Sequence, residues 1–137
     1  MSRTYIPATL RQQVFDRASG RCEYCRFPQQ MSFATFECEH IIAEKHGGAT
    51  AAENLALACP FCSRFKGTDL GSLDPDTGQL TPFFHPRNHQ WGNHFRLEGA
   101  RIVPLTPEGR VTVFIFQLNH PDRIAEREPL IQLGMYP

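Results

Sequence analysis

The stretch that decides the fold runs from Cys22-Glu23-Tyr24-Cys25, through Glu39-His40-Ile41-Ile42, to Cys59-Pro60-Phe61-Cys62. Two Cys-x-x-Cys pairs bracket an acidic-His dipeptide. Four thiolates satisfy a tetrahedral zinc ion, so Cys22, Cys25, Cys59 and Cys62 are read as a closed structural site. Glu39 and His40 lie outside that set and are free for chemistry. The chain between Cys25 and Cys59 is long enough to need a whole β-hairpin between the knuckles. Two independent redox pairs would call for a thioredoxin-like βαβ pattern, which is not seen around either one.

Working outward, Leu10, Val14 and Ala18 recur at four-residue spacing and predict a helix over Ala8 to Ser19, with Thr9 and Gln12 as a capping box and Gly20 as the stop. Phe33 to Ala43, rich in Phe, Thr and Ile, reads as one or two strands carrying His40. Cys38 alternates with Glu39 and is expected on the opposite, apolar face. Ala51 to Asn54 suits one helical turn. Pro60 suits a helix start, giving a helix to about Lys66 that Gly67 ends.

Beyond Gly67, Asp74 to Gly78 is a turn and Leu80 to Phe84 a short strand. Trp91 to Leu97 and Ala100 to Leu105 predict a hairpin around Glu98-Gly99. Thr106-Pro107 predicts a helix to Leu118, and His120-Pro121 a last helix to about Leu133. His85, His89 and His94 are spaced loosely like ligands, but nothing nearby completes a site.

The 137 residues suit one domain, residues 1–137, with a core over 8–70 and a C-terminal extension over 71–137 packed on it. The cysteine-rich part is poor in large apolar residues and gains from a metal staple. Lys plus Arg and Asp plus Glu are 14 each, so bulk charge does not drive nucleic-acid binding; segregated charge such as Arg64 and Lys66, with Arg21 and Arg26, would have to supply it. Met1 to Pro7 has no apolar run of a signal peptide, and no stretch reaches the roughly 20 apolar residues of a membrane span. A cytoplasmic, reducing setting is therefore expected, where paired cysteines hold metal.

The order Cys22-x-x-Cys25, Glu39-His40-Ile41-Ile42, Gly47-Gly48, Glu53-Asn54-Leu55, Cys59-x-x-Cys62-Ser63-x-x-Lys66-Gly67 resembles the HNH endonucleases over residues 8 to 70. Pro82 to Arg127 also resembles a region that follows the motif in some bacterial members. The resemblance implies an α+β fold, a small zinc-stapled ββα-metal core with an N-terminal helix and a C-terminal strand and helix extension. It implies His40 as general base, Glu39 as ligand of a catalytic divalent ion, Asn54 as brace of the loop behind the base, and Ser63 at the second ligand position. The activity implied is metal-dependent hydrolysis of DNA phosphodiester bonds. That reaction needs an activated water, which a neutral imidazole can supply, and a cation on the phosphate and leaving oxygens, for which magnesium or manganese serves.

Glu39 stands where Asp is commoner and Ser63 where His or Asn is. Either the longer Glu39 arm compensates for the shorter Ser63 arm, or the ion is lost and the chain is a non-catalytic, zinc-dependent nucleic-acid-binding module. Adjacent strand residues face opposite ways, so an irregular backbone is predicted at Glu39-His40. DNA is the expected partner, held mainly at its phosphates through Arg64 and Lys66.

Overall fold

In the computed structural model, which describes residues 5–137, the first helix α1 spans Ala8–Arg17. Its apolar face centres on fully buried Val14. The N-cap is Pro7 and no side chain caps it, so the expected Thr9 and Gln12 box is absent; Gln12 instead donates to Asp16 at 2.8 Å. Ser19 and Gly20 both take positive φ, +54° and +67°, and turn the chain into the first knuckle.

Glu37–His40 forms β1 and Leu55–Ala58 forms β2, paired antiparallel from Glu37 opposite Ala58 to His40 opposite Leu55. The expected strand from Phe33 begins only at Glu37 because local side chains take the backbone donors first. Ser32 Oγ accepts from the Ala34 amide at 3.1 Å and Gln29 Oε1 from the Phe36 amide at 2.9 Å. The predicted irregularity is also absent, since the register runs one to one through Glu39 and His40.

Between the strands, short 3₁₀ turns at Glu44–His46 and Ala52–Asn54 flank a Gly47-Gly48 bend. A Cβ at Gly48 would lie 1.7 Å from the Ile42 carbonyl oxygen, so only glycine fits that approach. Pro60–Lys66 is α2, with Cys59 as N-cap accepting from the Cys62 amide, and Gly67 closes it at φ +54°. α1 and α2 both pack on the hairpin. Arg17 ties α1 down by donating to the Ala52 and Leu55 carbonyls at 2.8 and 2.7 Å.

Contacts divide the chain into two units, Met1–Leu70 and Gly71–Pro137, where the sequence was read as one domain with a core to residue 70 and an extension beyond it. In the second unit β3 (Gly71–Leu73) pairs with β4 (Leu80–Pro82) around the Asp74 turn. The pattern of the sequence had not marked β3. Trp91–His94, expected as strand, forms the short helix α3, and only then does the hairpin of β5 (Phe95–Glu98) and β6 (Arg101–Pro104) begin. α4 (Pro107–Ile115) starts where Thr106 accepts from the Gly109 amide, and α5 (Pro121–Gln132) where His120 accepts from the Asp122 amide. α4 packs on β3, β4 and β6 over a core containing Phe83, Phe95, Ile102, Val111 and Phe116.

Candidate active site and metal centres

The knuckles converge because each is anchored to β2 or its continuation. Glu23 copies a strand partner: its amide donates to the Leu57 carbonyl at 2.8 Å, and its carboxylate accepts from the Leu57 amide at 2.9 Å. The second knuckle leaves the end of β2 directly into α2. The sulfurs of Cys22, Cys25, Cys59 and Cys62 all lie within 4.8 Å of one another, and Cys25 and Cys59 are 3.7 Å apart. Zinc–sulfur bonds of about 2.3 Å in a tetrahedron put sulfurs roughly 3.8 Å apart, so the donor set and its spacing fit one zinc ion. The Cys25 and Cys62 amides point at the sulfurs of Cys22 and Cys59, at 3.5 and 3.4 Å, and steady their charge. Burial favours the neutral thiol and pushes Cys22 and Cys62 well above the ordinary cysteine range; a coordinated cation reverses that balance.

Half-buried Cys38 stands outside this set. Among the described residues no other group of three or more Cys, His, Asp or Glu side chains gathers as closely. His85 and His89 use Nδ1 to accept backbone amides of their own loop instead.

Glu39 lies on the face of β1 turned to α2 and is buried; Ser63 Oγ donates to its Oε2 at 2.7 Å. The same hydroxyl lies 3.0 Å from Glu37 Oε2. Burial raises Glu39 above the usual carboxylate range; the Ser63 hydrogen bond opposes it, Glu37 adds to it, and Lys66 opposes it.

His40 is the last residue of β1 and is also buried. Its Nε2 is 2.8 Å from Thr50 Oγ1. An open cavity at the end of β1 is lined by both Glu39 and His40, together with Glu37, Gly67 and Thr68. The regular strand thus sends the two side chains to different partners, while both residues border one opening.

Asn54 holds the intervening loop. Its Nδ2 donates to the Ile42 and Ala49 carbonyls at 2.9 and 2.8 Å, and its Oδ1 accepts from the Ile42 amide at 2.9 Å. It therefore fixes the backbone just after His40 and just before Thr50.

Lys66, expected on the surface against phosphate, is buried, and its Nζ donates to the His40 carbonyl at 3.3 Å. Burial lowers its pKa, with Glu39 and Asp69 pulling the other way. Arg64 remains exposed, its guanidinium 5.7 Å from the Phe61 ring centroid and 5.2 Å from that of Phe65.

Two residues of the site went unread in the sequence. Glu37 was detectable, because two-residue alternation on β1 puts it beside Glu39. Thr50 carried no local signal, since its partner His40 is ten positions away.

Residues 22–69 match the family model described as HNH endonuclease. The match begins at the first ligand cysteine and stops one residue short of the end of the first unit. It does not reach Pro82 to Arg127. No curated protein and no solved structure matches the chain significantly. No helix among the described residues is long and apolar enough to cross a membrane.

Proposed function

We propose that the chain, whose residues 22–69 match the HNH endonuclease model, is a metal-dependent endonuclease that hydrolyses DNA phosphodiester bonds, with zinc on the four cysteines as its structural staple. The observation that carries this reading is the opening at the end of β1, where Glu39, bonded to Ser63, and His40 border one cavity within the matched segment.

His40 is the general base. With its Nε2 proton donated to Thr50, the Nδ1 lone pair is left to take a proton from water. Lys66 fixes the backbone of the base from behind and Asn54 fixes the loop that carries Thr50. A carboxylate with a hydroxyl is an oxygen donor set of the kind magnesium or manganese accepts, and Glu39 and Ser63 would hold that ion. When bound, such a cation neutralises charge on the phosphate and the leaving oxygen. Arg64, backed by Phe61 and Phe65, meets phosphates outside the opening; Lys66 has no such part. Contact through phosphates gives little sequence preference and a binding constant that falls with salt.

The test is nicking of supercoiled plasmid by zinc-loaded protein with magnesium, manganese or no added divalent ion. Metal-dependent nicking should fall by about 10²–10⁴-fold in His40→Ala. The short neutral Ser63 arm favours the second reading, a nucleic-acid-binding module that does not cut. DNA binding at low salt without nicking in any ion would establish that reading and end the first.

A further inference from the structure

The face of β1 turned to α2 carries two carboxylates. Glu37 and Glu39 are separated by one residue on an unbroken strand, so both side chains leave on the same side. Both reach a single hydroxyl, Ser63 Oγ, at 3.0 and 2.7 Å. A serine hydroxyl has one proton to give. With both carboxyls ionised it can therefore satisfy only one of them at a time, and the other oxygen then faces it without a hydrogen between them. Something positive belongs there.

We propose that Glu37 is a third oxygen ligand of the divalent cation, so that Glu37, Glu39 and Ser63 hold it together. This rests on the endonuclease reading above, which named only Glu39 and Ser63. Glu37 then supplies the donor strength that Ser63 lacks, from the strand rather than from the helix.

Charge, spacing and access agree. Two carboxylates match the charge of a divalent ion, whereas Glu39 with a neutral hydroxyl leaves it half compensated. Magnesium binds six oxygens at about 2.0–2.1 Å in an octahedron, whose adjacent oxygens lie roughly 2.9 Å apart. The two separations at Ser63, which are ordinary hydrogen-bond lengths, are compatible with that edge. Magnesium also keeps several waters, which requires an open side. Glu39 is buried and Glu37 is partly exposed, and both line the cavity with Gly67 and Thr68. The ion has an inner ligand, an outer ligand and room for water. Lys66, the buried cation nearby, gives its amine to the His40 carbonyl instead.

The experiment is titration of zinc-loaded protein with manganese(II) chloride, read by the electron paramagnetic resonance signal of free manganese. Wild type is compared with Glu37→Gln, Glu39→Gln and the double variant Glu37→Gln, Ser63→Asn. Glu37→Gln should weaken manganese binding at least tenfold, as Glu39→Gln does. Glutamine keeps an acceptor for Ser63, and unchanged zinc content and circular dichroism confirm the fold. Adding Ser63→Asn to Glu37→Gln should restore binding, because it supplies the missing oxygen from the helix side.

Manganese binding by Glu37→Gln within twofold of wild type overturns the assignment. So does a wild type that binds no manganese at millimolar concentration. Plasmid nicking separates this from the endonuclease reading. Nicking that depends on His40, with Glu37→Gln still binding manganese normally, removes Glu37 and leaves the enzyme. Manganese binding lost with Glu37→Gln, in a protein that fails to nick plasmid whichever ion is added, keeps the ligand and removes the enzyme.

Discussion

The two units of this chain bury polar groups in different surroundings. In the second, the buried polar side chains are spread among helix ends and turns, where they brace backbone or each other. Arg127 donates to the Ala100 carbonyl, Arg123 to the Phe116 carbonyl, Thr112 to the Glu108 carbonyl, and Arg110 doubly to Asp74. Around them lies an aromatic core of Phe83, Phe84, Phe95 and Phe116. In the first, the interior is cysteine and alanine to a large extent, and the buried Glu39, His40, Ser63 and Lys66 gather at one end of β1. Four cysteines placed for a metal ion stand there in place of apolar mass, and the buried polar groups gather beside an opening instead of inside an aromatic core.

The sharpest way to break that comparison is to take the metal away. Structural zinc contributes on the order of 10 kcal/mol to small thiolate-held folds. Stripping it with a strong chelator should unfold the first unit and leave the second standing. Amide hydrogen exchange checks this residue by residue: protection should vanish at Cys22, Cys25 and Leu57 and persist at Phe84 and Phe116. Loss at both sets together would mean that the second core does not stand by itself and that the contrast is false.

The reciprocal change acts on the second unit. Phe116 is fully buried, edge-on to Phe83 with ring centroids 5.0 Å apart. Phe116→Ala should remove about 3–5 kcal/mol of stability through lost burial and the cavity left behind. Thermal unfolding should move to lower temperature while the zinc content of the purified protein stays the same. A variant that loses its zinc as well would tie the two units more closely than their separate cores suggest.

The contrast also explains what could be read in advance. Zinc ligation is a local spacing rule, so the four cysteines, a hairpin between them and α2 from Pro60 to Lys66, stopped by Gly67, followed from the sequence. The helix starts at Thr106-Pro107 and His120-Pro121 were legible for the same reason. Long-range pairing left no such mark. β3 is three residues whose partner lies beyond a turn, and Thr50 meets His40 only because Asn54 folds the loop back. Lys66 was misplaced because charge was read as surface. Its position four residues after Cys62 and three after Ser63 puts it on the inner face of α2, a helical spacing that outweighs the preference of lysine for water. The expected irregularity at Glu39-His40 rested on the idea that both side chains must face one way. A regular strand instead ends at His40, and the cavity at that end reaches both residues.

The smallest effect compares two buried carboxyls moved in opposite directions. Glu39 is raised, chiefly by burial, with a single hydroxyl proton shared with Glu37. Asp74 is lowered far below the usual range, chiefly by the Arg110 hydrogen bonds at 3.0 and 2.7 Å, with the Asp76 amide and the Thr77 hydroxyl adding to them. A carboxyl depressed in the folded state stabilises the fold above its unfolded value of about 3.9 and gives that up as pH falls through its native value. The second unit should therefore hold its stability from neutral pH down to about pH 4 and lose it progressively below that. Asp74→Asn should flatten this acid limb while lowering stability at pH 7. Denaturant midpoints measured from pH 7 to pH 2, with Phe84 and Phe116 exchange as the local reporters, check both arms. A variant whose acid limb stays as steep as wild type would remove the Asp74–Arg110 pair as the cause and leave the burial of Asp74 without its compensation.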